Sequence, residues 1–136
     1  MKIIKASNKD ELANEWQIFT WLNYGEGAQW VKKHFRFKAI ENQKIIGTID
    51  GKYEAGIVFI ASLMVVENNR KKGVGKKLIE KAEAYGKKLH AHKTFLFTGK
   101  HWPSCAFYAK LGFKPIIELP DFYLHKDFVI YMRLIT

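Results

Sequence analysis

The stretches GIVFIASLMVV (residues 56–66) and RKKGVG (residues 70–75) lie close together in the middle of this chain. The first is apolar and rich in β-branched residues, which predicts a buried strand. Apolar residues at helical spacing follow the second and predict a helix over residues 73–88; they are Val74, Leu78, Ile79, Ala82, Tyr85 and Leu89. A glycine-rich turn therefore connects the end of a strand to the start of a helix.

This turn has the features of a phosphate-binding site. It gathers unpaired backbone N–H groups at the positive end of a helix dipole. Gly73 and Gly75 lack a Cβ atom, so a ligand can approach the backbone closely, although an ordinary tight turn is the alternative interpretation. The motif G-x-x-x-x-G-K-[ST] does not fit the residues around Gly73, and G-x-G-x-x-G fails at Leu78. We predict that a phosphorylated cofactor binds here.

Length and composition bound the class of protein. The 136 residues give room for one domain, residues 1–136, and 48% of them are hydrophobic, which is typical of a globular chain. No apolar run approaches the ~20 residues of a membrane span, and no secretory signal is visible. The single cysteine, Cys105, suits a reducing compartment, so we expect a cytoplasmic protein. His90 and His92 are too sparse a pair for a metal site, and none is predicted.

The net charge of +10 is concentrated in the second half of the chain. Residues 1–69 carry nine basic and eight acidic side chains, whereas residues 70–136 carry fourteen and five. Basic side chains at a helix N-terminus are repelled by the positive end of the helix dipole, and a bound anion would offset this unfavourable energy. The alternative interpretation is that these lysines are simply solvated on the surface. Nucleic acid is a rival partner for this charge, but no recognition-helix, zinc-finger or RNP pattern is present. We therefore do not expect nucleic acid to be the partner.

The stretch of residues 63–78, which ends in RKKGVGKKL (residues 70–78), resembles the acetyl-CoA-binding motif of the GNAT superfamily of N-acetyltransferases. That motif is written [RQ]-x-x-G-x-[GA]. A second stretch, FYAKLGF at residues 107–113, resembles the F-Y-x-K-x-G-F signature of the same family. The resemblance covers residues 44–136 well and the first 43 residues only by general layout. It implies an acyltransferase that moves an acetyl group from acetyl-CoA to a primary amine by direct attack in a ternary complex. The alternatives are a non-catalytic CoA-binding regulatory module and a basic nucleic-acid-associated protein.

The resemblance implies which residues bind acetyl-CoA or CoA. They are Met64, Val65, Val66, Arg70, Lys71, Lys72, Gly73, Val74, Gly75, Lys76, His101, Ser104 and Phe107. Backbone N–H groups near Val65 or Val66 would polarise the thioester carbonyl, as in the family. His101 stands where the family often has an asparagine that contacts the pantetheine arm. His101 is therefore a departure from the family pattern.

Tyr108 matches the general acid of the family, because a phenol can protonate or hydrogen-bond a departing thiolate. The alternative is that Tyr108 is one more aromatic residue on an amphipathic helix. Some relatives have a glutamate base where this chain has Phe59, so no general base is assigned. Candidates for the base are Asp121, His125, Glu118 and Glu67, with a water chain to solvent as an equal alternative.

The acceptor is not identified by the sequence. Trp21, Tyr24, Asp121 and Tyr123 are candidate acceptor-binding residues, with Phe122 beside them, and simple packing is the alternative for each. They favour a bulky or flat acceptor, which can be a small molecule or a protein amine. The oligomeric state is also open, a homodimer included.

The order of elements predicts an α/β (α+β) fold. We expect a first strand at residues 3–4, helices over residues 9–22 and 28–33, and a hairpin of residues 35–41 and 44–53. The strand and helix described above follow, then a strand at 94–98, a helix that begins at Pro103 and ends at Gly112, and a hairpin of residues 116–119 and 128–134. The prediction is a GNAT-like single domain with helices on both faces of a mixed, mostly antiparallel sheet of about seven strands. By resemblance, parallel strands four and five splay apart to admit the pantetheine arm.

Overall fold

The computed structural model describes all residues from 1 to 136, and they form two compact units, residues 1–30 and residues 31–136. The first unit contains one helix, α1, at Ala13–Tyr24. Its predicted start at residue 9 is wrong, because Asp10 closes a turn in which its carboxylate accepts the Ser7 N–H at 2.7 Å. The predicted first strand is also wrong: Ile3 and Ile4 are 89% and 82% exposed and have no ladder partner.

The second unit contains six strands and two helices. The strands are β1 (Lys32–Glu41), β2 (Lys44–Glu54), β3 (Ile57–Val65), β4 (Lys93–Gly99), β5 (Lys114–Leu119) and β6 (Phe128–Leu134). The helices are α2 (Val74–Lys88) and α3 (Pro103–Lys110), with short 3-10 turns at Glu67–Asn69 and Tyr123–His125. The helix predicted over residues 28–33 is absent, because Lys32 and Lys33 already pair with β2.

The six strands form one sheet in the order β1-β2-β3-β4-β6-β5. Only β3 and β4 are parallel, so the predicted mixed, mostly antiparallel sheet is confirmed. The count is six rather than about seven, and the parallel pair is third and fourth rather than fourth and fifth, because the strand expected at residues 3–4 does not form. The two segments that make up the parallel pair are those predicted from the sequence.

Both helices of this unit contribute to one core. Leu78 and Ile79 of α2 are 4% and 0% exposed, and Tyr108 of α3 belongs to the same buried cluster as Val58 and Leu96 of the parallel strands. Burial of an aliphatic side chain of this size contributes roughly 2 kcal/mol to stability. Since α2 and α3 pack into one core, they cover the same face of the sheet, and neither supplies the cover predicted for the second face. None of the three helices is long and apolar enough to cross a membrane.

Local turn chemistry follows the sequence. Asn42 and Gln43 connect β1 to β2 with φ values of 51° and 64°, as a two-residue hairpin turn requires. Gly112 has a φ of 89° directly after the last turn of α3. This left-handed conformation is the C′ geometry predicted for Gly112.

A buried ion pair fastens α2 to β6. Arg133 on β6 pairs with Glu83 on α2, whose side chains are 20% and 12% exposed respectively. The Glu83 carboxylate also accepts the Thr94 hydroxyl at 2.6 Å, and Arg133 donates to the Leu111 carbonyl. This network lies at the N-terminal end of β4, away from the C-terminal ends of β3 and β4.

Candidate functional site

The two parallel strands separate halfway along their length. β3 and β4 pair only from Ile57–Lys93 to Ile60–Leu96, although β3 continues to Val65 and β4 to Gly99. The local cause is a β-bulge in β3. Asp50 of β2 opposes Ser62 whereas Gly51 opposes Ile60, so Ala61 is an extra residue without a partner, and such a residue bends the strand. We call the space between residues 61–65 of β3 and residues 97–99 of β4 the wedge.

Backbone groups of β3 line the wedge. The Val66 N–H donates to the Ile46 carbonyl of β2 at 2.9 Å, so this N–H is already bound within the protein. Alternate residues of an antiparallel strand direct their polar groups to opposite sides. The N–H groups of Leu63 and Val65 therefore face away from β2 and into the wedge. Of the two predicted carbonyl-polarising positions, Val65 keeps a free N–H in the correct direction.

The turn after β3 is tied to the end of the strand. The Arg70 guanidinium donates from Nε to the Val65 carbonyl at 2.9 Å. Lys71 has a φ of 64° and Gly73 a φ of 83°, so two residues of the turn are left-handed. Gly73 is the N-cap of α2, and its conformation favours glycine because any side chain there is strained.

The start of α2 carries a row of backbone donors without acceptors. The Lys77 N–H donates to the Gly73 carbonyl at 3.0 Å, but the six N–H groups of residues 71–76 have no acceptor within the protein. No side chain caps the helix, and no acidic residue lies in its first turn. Five exposed basic side chains surround these donors: Arg70, Lys71, Lys72, Lys76 and Lys77. The donor row, the helix dipole and the positive charge together suit a polyphosphate.

Gly75 brings α2 into contact with α3. A Cβ atom at Gly75 would lie 2.9 Å from the Phe107 ring and 3.7 Å from the Val65 side chain. Gly75 is buried, so its missing Cβ serves the packing of Phe107 against the helix rather than the approach of a ligand from solvent. A Cβ at Gly73 meets nothing within 4 Å, which leaves Gly73 as the open position beside the donor row. The structure thus places Val65, Gly75 and Phe107 side by side.

Tyr108 combines a buried ring with a free hydroxyl. The residue is 8% exposed, and its ring packs against Phe107, Phe113 and Tyr131 at centroid distances of 5.1, 5.6 and 6.3 Å. Burial raises the pKa of Tyr108 to about 12. The hydroxyl makes no hydrogen bond within the protein. Every fully buried polar side-chain atom of the protein has a hydrogen-bond partner, so the Tyr108 hydroxyl is not fully buried. The hydroxyl oxygen therefore reaches solvent and can donate to a ligand.

The other predicted residues of this region lie on or beside α3. The Ser104 and Thr98 hydroxyls are 2.5 Å apart, which fastens α3 to β4 at the wedge. His101 is exposed in the turn between β4 and α3, with a φ of 66°. The Cys105 thiol donates to the Gly99 carbonyl at 3.3 Å, and its position beside the Tyr131 hydroxyl raises the pKa of that tyrosine. Met64 and Val66 are exposed at the end of β3.

The four predicted acceptor-binding residues belong to two different units. Trp21 and Tyr24 lie in the first unit, where the Trp21 indole N–H donates to the Ala28 carbonyl at 3.1 Å and Tyr24 packs on Trp30. Asp121 and Tyr123 lie in the second unit, in the connection between β5 and β6. The Asp121 carboxylate accepts from His125 Nδ1 at 2.8 Å, and Tyr123 is 54% exposed.

Sequence reasoning missed the pair Asp50 and Ser62. The Ser62 hydroxyl on β3, one residue past the extra residue Ala61, donates to the Asp50 carboxylate on β2. A signal was present, because aspartate is depleted in strands and Asp50 interrupts an otherwise uncharged strand segment, IIGTIDG at residues 45–51. Its place beside the wedge depends on long-range register, which the sequence does not display.

Comparison with known proteins gives consistent findings. The model of the acetyltransferase (GNAT) family matches residues 5–113. An acetyltransferase from Bacillus cereus is 17% identical with a TM-score of 0.70, over 98% of this chain and 97% of that one. The ribosomal-protein-S18-alanine N-acetyltransferase from Escherichia coli is 17% identical with a TM-score of 0.68, over 88% of this chain and 76% of that one.

A third structure, an aminoglycoside 6'-N-acetyltransferase complexed with coenzyme A, is 15% identical with a TM-score of 0.68, over 100% of this chain and 98% of that one. At these identities the likeness of the three structures shows the fold alone. No curated protein sequence matches the chain at significant similarity.

Proposed function

The chain belongs to the acetyltransferase (GNAT) family, and we propose that it moves an acetyl group from acetyl-CoA to a primary amine by direct attack in a ternary complex. The observation that carries this proposal is the uncapped N-terminus of α2, with six free N–H groups and five basic side chains beside the open wedge. The aminoglycoside acetyltransferase with the same fold was solved with coenzyme A, which supports CoA as the anion that this site takes.

Acetyl-CoA supplies the acetyl group as a thioester when it is bound. Residues 71–76 hold its pyrophosphate through their N–H groups, and the wedge receives the pantetheine arm. The Val65 N–H donates to the thioester carbonyl and stabilises the negative charge that develops on its oxygen. Cys105 is not required as a nucleophile, because its thiol is half-buried and engaged with the Gly99 carbonyl.

Tyr108 donates a hydrogen bond to the departing sulfur. Its pKa of about 12 keeps the phenol protonated at neutral pH. A thiol has a pKa of about 8.5, so complete proton donation from Tyr108 alone is uphill by about 5 kcal/mol. Tyr108 therefore passes its proton to sulfur only as it takes one from the attacking amine, which acts as a relay and keeps the phenol neutral.

The test is thiol release from acetyl-CoA with a panel of primary amines, for the wild type and for Tyr108→Phe. We expect Tyr108→Phe to lower kcat by about 10²-fold and to leave the affinity for CoA within about twofold, because only the hydroxyl is removed. A wild-type protein that binds CoA but acetylates no amine would contradict the enzyme and support the alternative, a CoA-binding regulatory module.

The acceptor and the location are proposed only in general terms. Relatives with this fold carry names that specify a ribosomal protein and an aminoglycoside, so both protein amines and small amines are included. A cytoplasmic location stays a prediction that depends on the single cysteine, Cys105.

A further inference from the structure

Asp50 lies on the face of the sheet opposite α2 and α3. Ile49 and Gly51 on either side of it are buried towards the helices, and successive residues of a strand point to opposite faces. On β3, Leu63 packs against the same core, so Ser62 also faces away from the helices. The hydrogen bond from the Ser62 hydroxyl to the Asp50 carboxylate agrees with this placement. The pair therefore lies beside the wedge, on its side remote from α2.

Asp50 differs from the other carboxylates at this end of the sheet. Those carboxylates are exposed, and they belong to Glu41, Glu67, Glu118, Asp121 and Asp127. Three of them are also engaged: Glu118 pairs with Lys100 at 3.1 Å, Asp121 lies 2.8 Å from His125, and Asp127 accepts the Asp121 N–H. Asp50 is half-buried, has no ion pair, and is held by one hydroxyl. It can accept further hydrogen bonds from a cation.

Aromatic side chains form the other side of the wedge on this face. Phe97 directly follows Leu96, the last residue of β4 that pairs with β3. Its ring lies 5.8 Å from that of Phe122 and 6.3 Å from that of Tyr123, measured between centroids. Asp50 and these aromatic side chains therefore lie on the same face of the sheet, on the two sides of the part of β3 that borders the wedge.

The two faces of the wedge differ in charge and chemistry. The N-terminus of α2, with its anion-binding donors, lies on the helix face, whereas Asp50 and the aromatic side chains lie on the other face. We propose that Asp50 binds the ammonium group of the acceptor and takes its proton, and that the acceptor is a primary amine with a flat apolar body that packs on Phe97 and Tyr123. Ser62 is a positioning residue that holds the carboxylate. This inference rests on the proposed acetyl transfer.

The proton balance is complete with these residues. Asp50 relays one proton from the bound ammonium to solvent, so that the carboxylate is protonated only transiently. The neutral amine nitrogen bonds to the acetyl carbon while the carbon–sulfur bond breaks and its electron pair goes to sulfur. A second nitrogen proton reaches sulfur through the Tyr108 hydroxyl. The products are the amide and the thiol, and Asp50 releases its proton to solvent.

Cationic side chains surround Asp50 on its face of the sheet. Arg36 on β1 is its partner across the strand pair, His34 and Lys38 are the diagonal neighbours on β1, and Lys52 is the next residue on the same face of β2. Lys52 pairs with Glu54 at 2.9 Å, and none of these cations forms an ion pair with Asp50. On β3 the neighbours are Ser62 and the uncharged Met64. Cations therefore lie near Asp50, and none of them occupies its carboxylate oxygens.

The experiment compares Asp50→Asn with the wild type, using 2-phenylethylamine as the acceptor and saturating acetyl-CoA. At pH 7 we expect kcat/KM for the amine to fall by about 10²-fold, because the variant loses both the ammonium site and the base. The ratio of wild-type to variant kcat/KM should shrink by about tenfold for each pH unit between 7 and 9. The variant uses only the neutral amine, and the neutral fraction of an amine with a pKa near 10 rises about tenfold per pH unit in this range. A purely structural role gives the same deficit at every pH and would overturn the assignment.

A binding measurement supplies a readout without turnover. Calorimetry on the CoA complex should show that Asp50→Asn binds 2-phenylethylamine at least about tenfold more weakly, whereas 2-phenylethanol, which has the same shape and no charge, binds both proteins equally. The matched control variant is Glu54→Gln on the same face of β2, at the far end from the wedge, which should behave as wild type.

The outcomes separate the two proposals. A wild-type protein that does not bind CoA overturns the acetyl-transfer proposal itself. A wild type that binds CoA and acetylates 2-phenylethylamine, with Asp50→Asn within about twofold of it at pH 7, overturns only the role of Asp50. A wild type that acetylates other amines but not 2-phenylethylamine overturns the acceptor class.

Discussion

Gly73 and Gly112 make a matched pair for testing the donor row. Gly73 is the N-cap of α2 with a φ of 83°, and Gly112 follows α3 with a φ of 89°. A Cβ atom at either position meets nothing within 4 Å, so substitution by alanine adds backbone strain without a clash. The left-handed conformation costs an alanine about 1–2 kcal/mol, and Gly112→Ala should lose about that much stability. Gly73→Ala should lose less, because its exposed turn can relax.

Binding should separate the two variants. In Gly73→Ala the free turn can relax out of the left-handed conformation, and CoA must restore it to align the N–H groups of residues 71–76. The strain energy then reduces the binding free energy of CoA. A loss of 1–2 kcal/mol raises the dissociation constant by about 5- to 30-fold, which is the upper limit of the expected effect. Gly112→Ala should leave it within about twofold, because its strain lies at the end of α3 and is the same with and without CoA.

Calorimetry with CoA and urea denaturation measure the two quantities on the same preparations. A Gly73→Ala variant that loses clearly less stability than Gly112→Ala and still binds CoA as the wild type does would refute the role of this turn. That result would mean that the N–H groups around Gly73 do not hold the cofactor.

Three further predictions concern stability. Because the pKa of Tyr108 is raised to about 12, the unfolded chain releases this proton before the folded protein does as pH rises above 10. Between pH 9 and 11, the free energy of unfolding measured in urea should fall by about 1.4 kcal/mol more for the wild type than for Tyr108→Phe. Equal losses in the two proteins would contradict the burial argument. Arg133→Met leaves Glu83 buried without its cation and should lower the free energy of unfolding by about 3 kcal/mol with unchanged CoA affinity, and a loss below about 1 kcal/mol would show that the ion pair is dispensable. Gly75→Ala places a Cβ atom 2.9 Å from the Phe107 ring. The loss of unfolding free energy that Gly75→Ala causes, measured in urea, should therefore be about 1 kcal/mol smaller in a Phe107→Leu background. Strictly additive losses would rule out this contact.

The sequence predicted the second unit well where its signals are local. The β-branched run of β3, the glycine turn and the spaced apolar residues of α2 each carry their own physical cause, and the structure has all three elements within two residues of the expected bounds. The strand expected at residues 3–4 failed because two isoleucines have a strand composition but no partner to pair with. Local composition does not supply a ladder.

The features of the wedge were not visible in the sequence. Strict alternation from Val58 and Ile60 would turn Ser62 towards the helices, and only the extra residue Ala61, which the sequence does not mark, turns Leu63 inwards instead. The same shift brings Ser62 opposite Asp50, twelve residues earlier in the chain. Register between strands is a long-range property, and for that reason the carboxylate beside the wedge emerged only from the structure.

The most direct test of the account is a calorimetric titration of the wild-type protein with acetyl-CoA and with CoA, at low and high salt. The donor row and the basic side chains of residues 70–77 predict one cofactor per chain with micromolar affinity, weaker at high salt because exposed charges contribute. Absence of binding to a protein that circular dichroism shows to be folded would contradict the account.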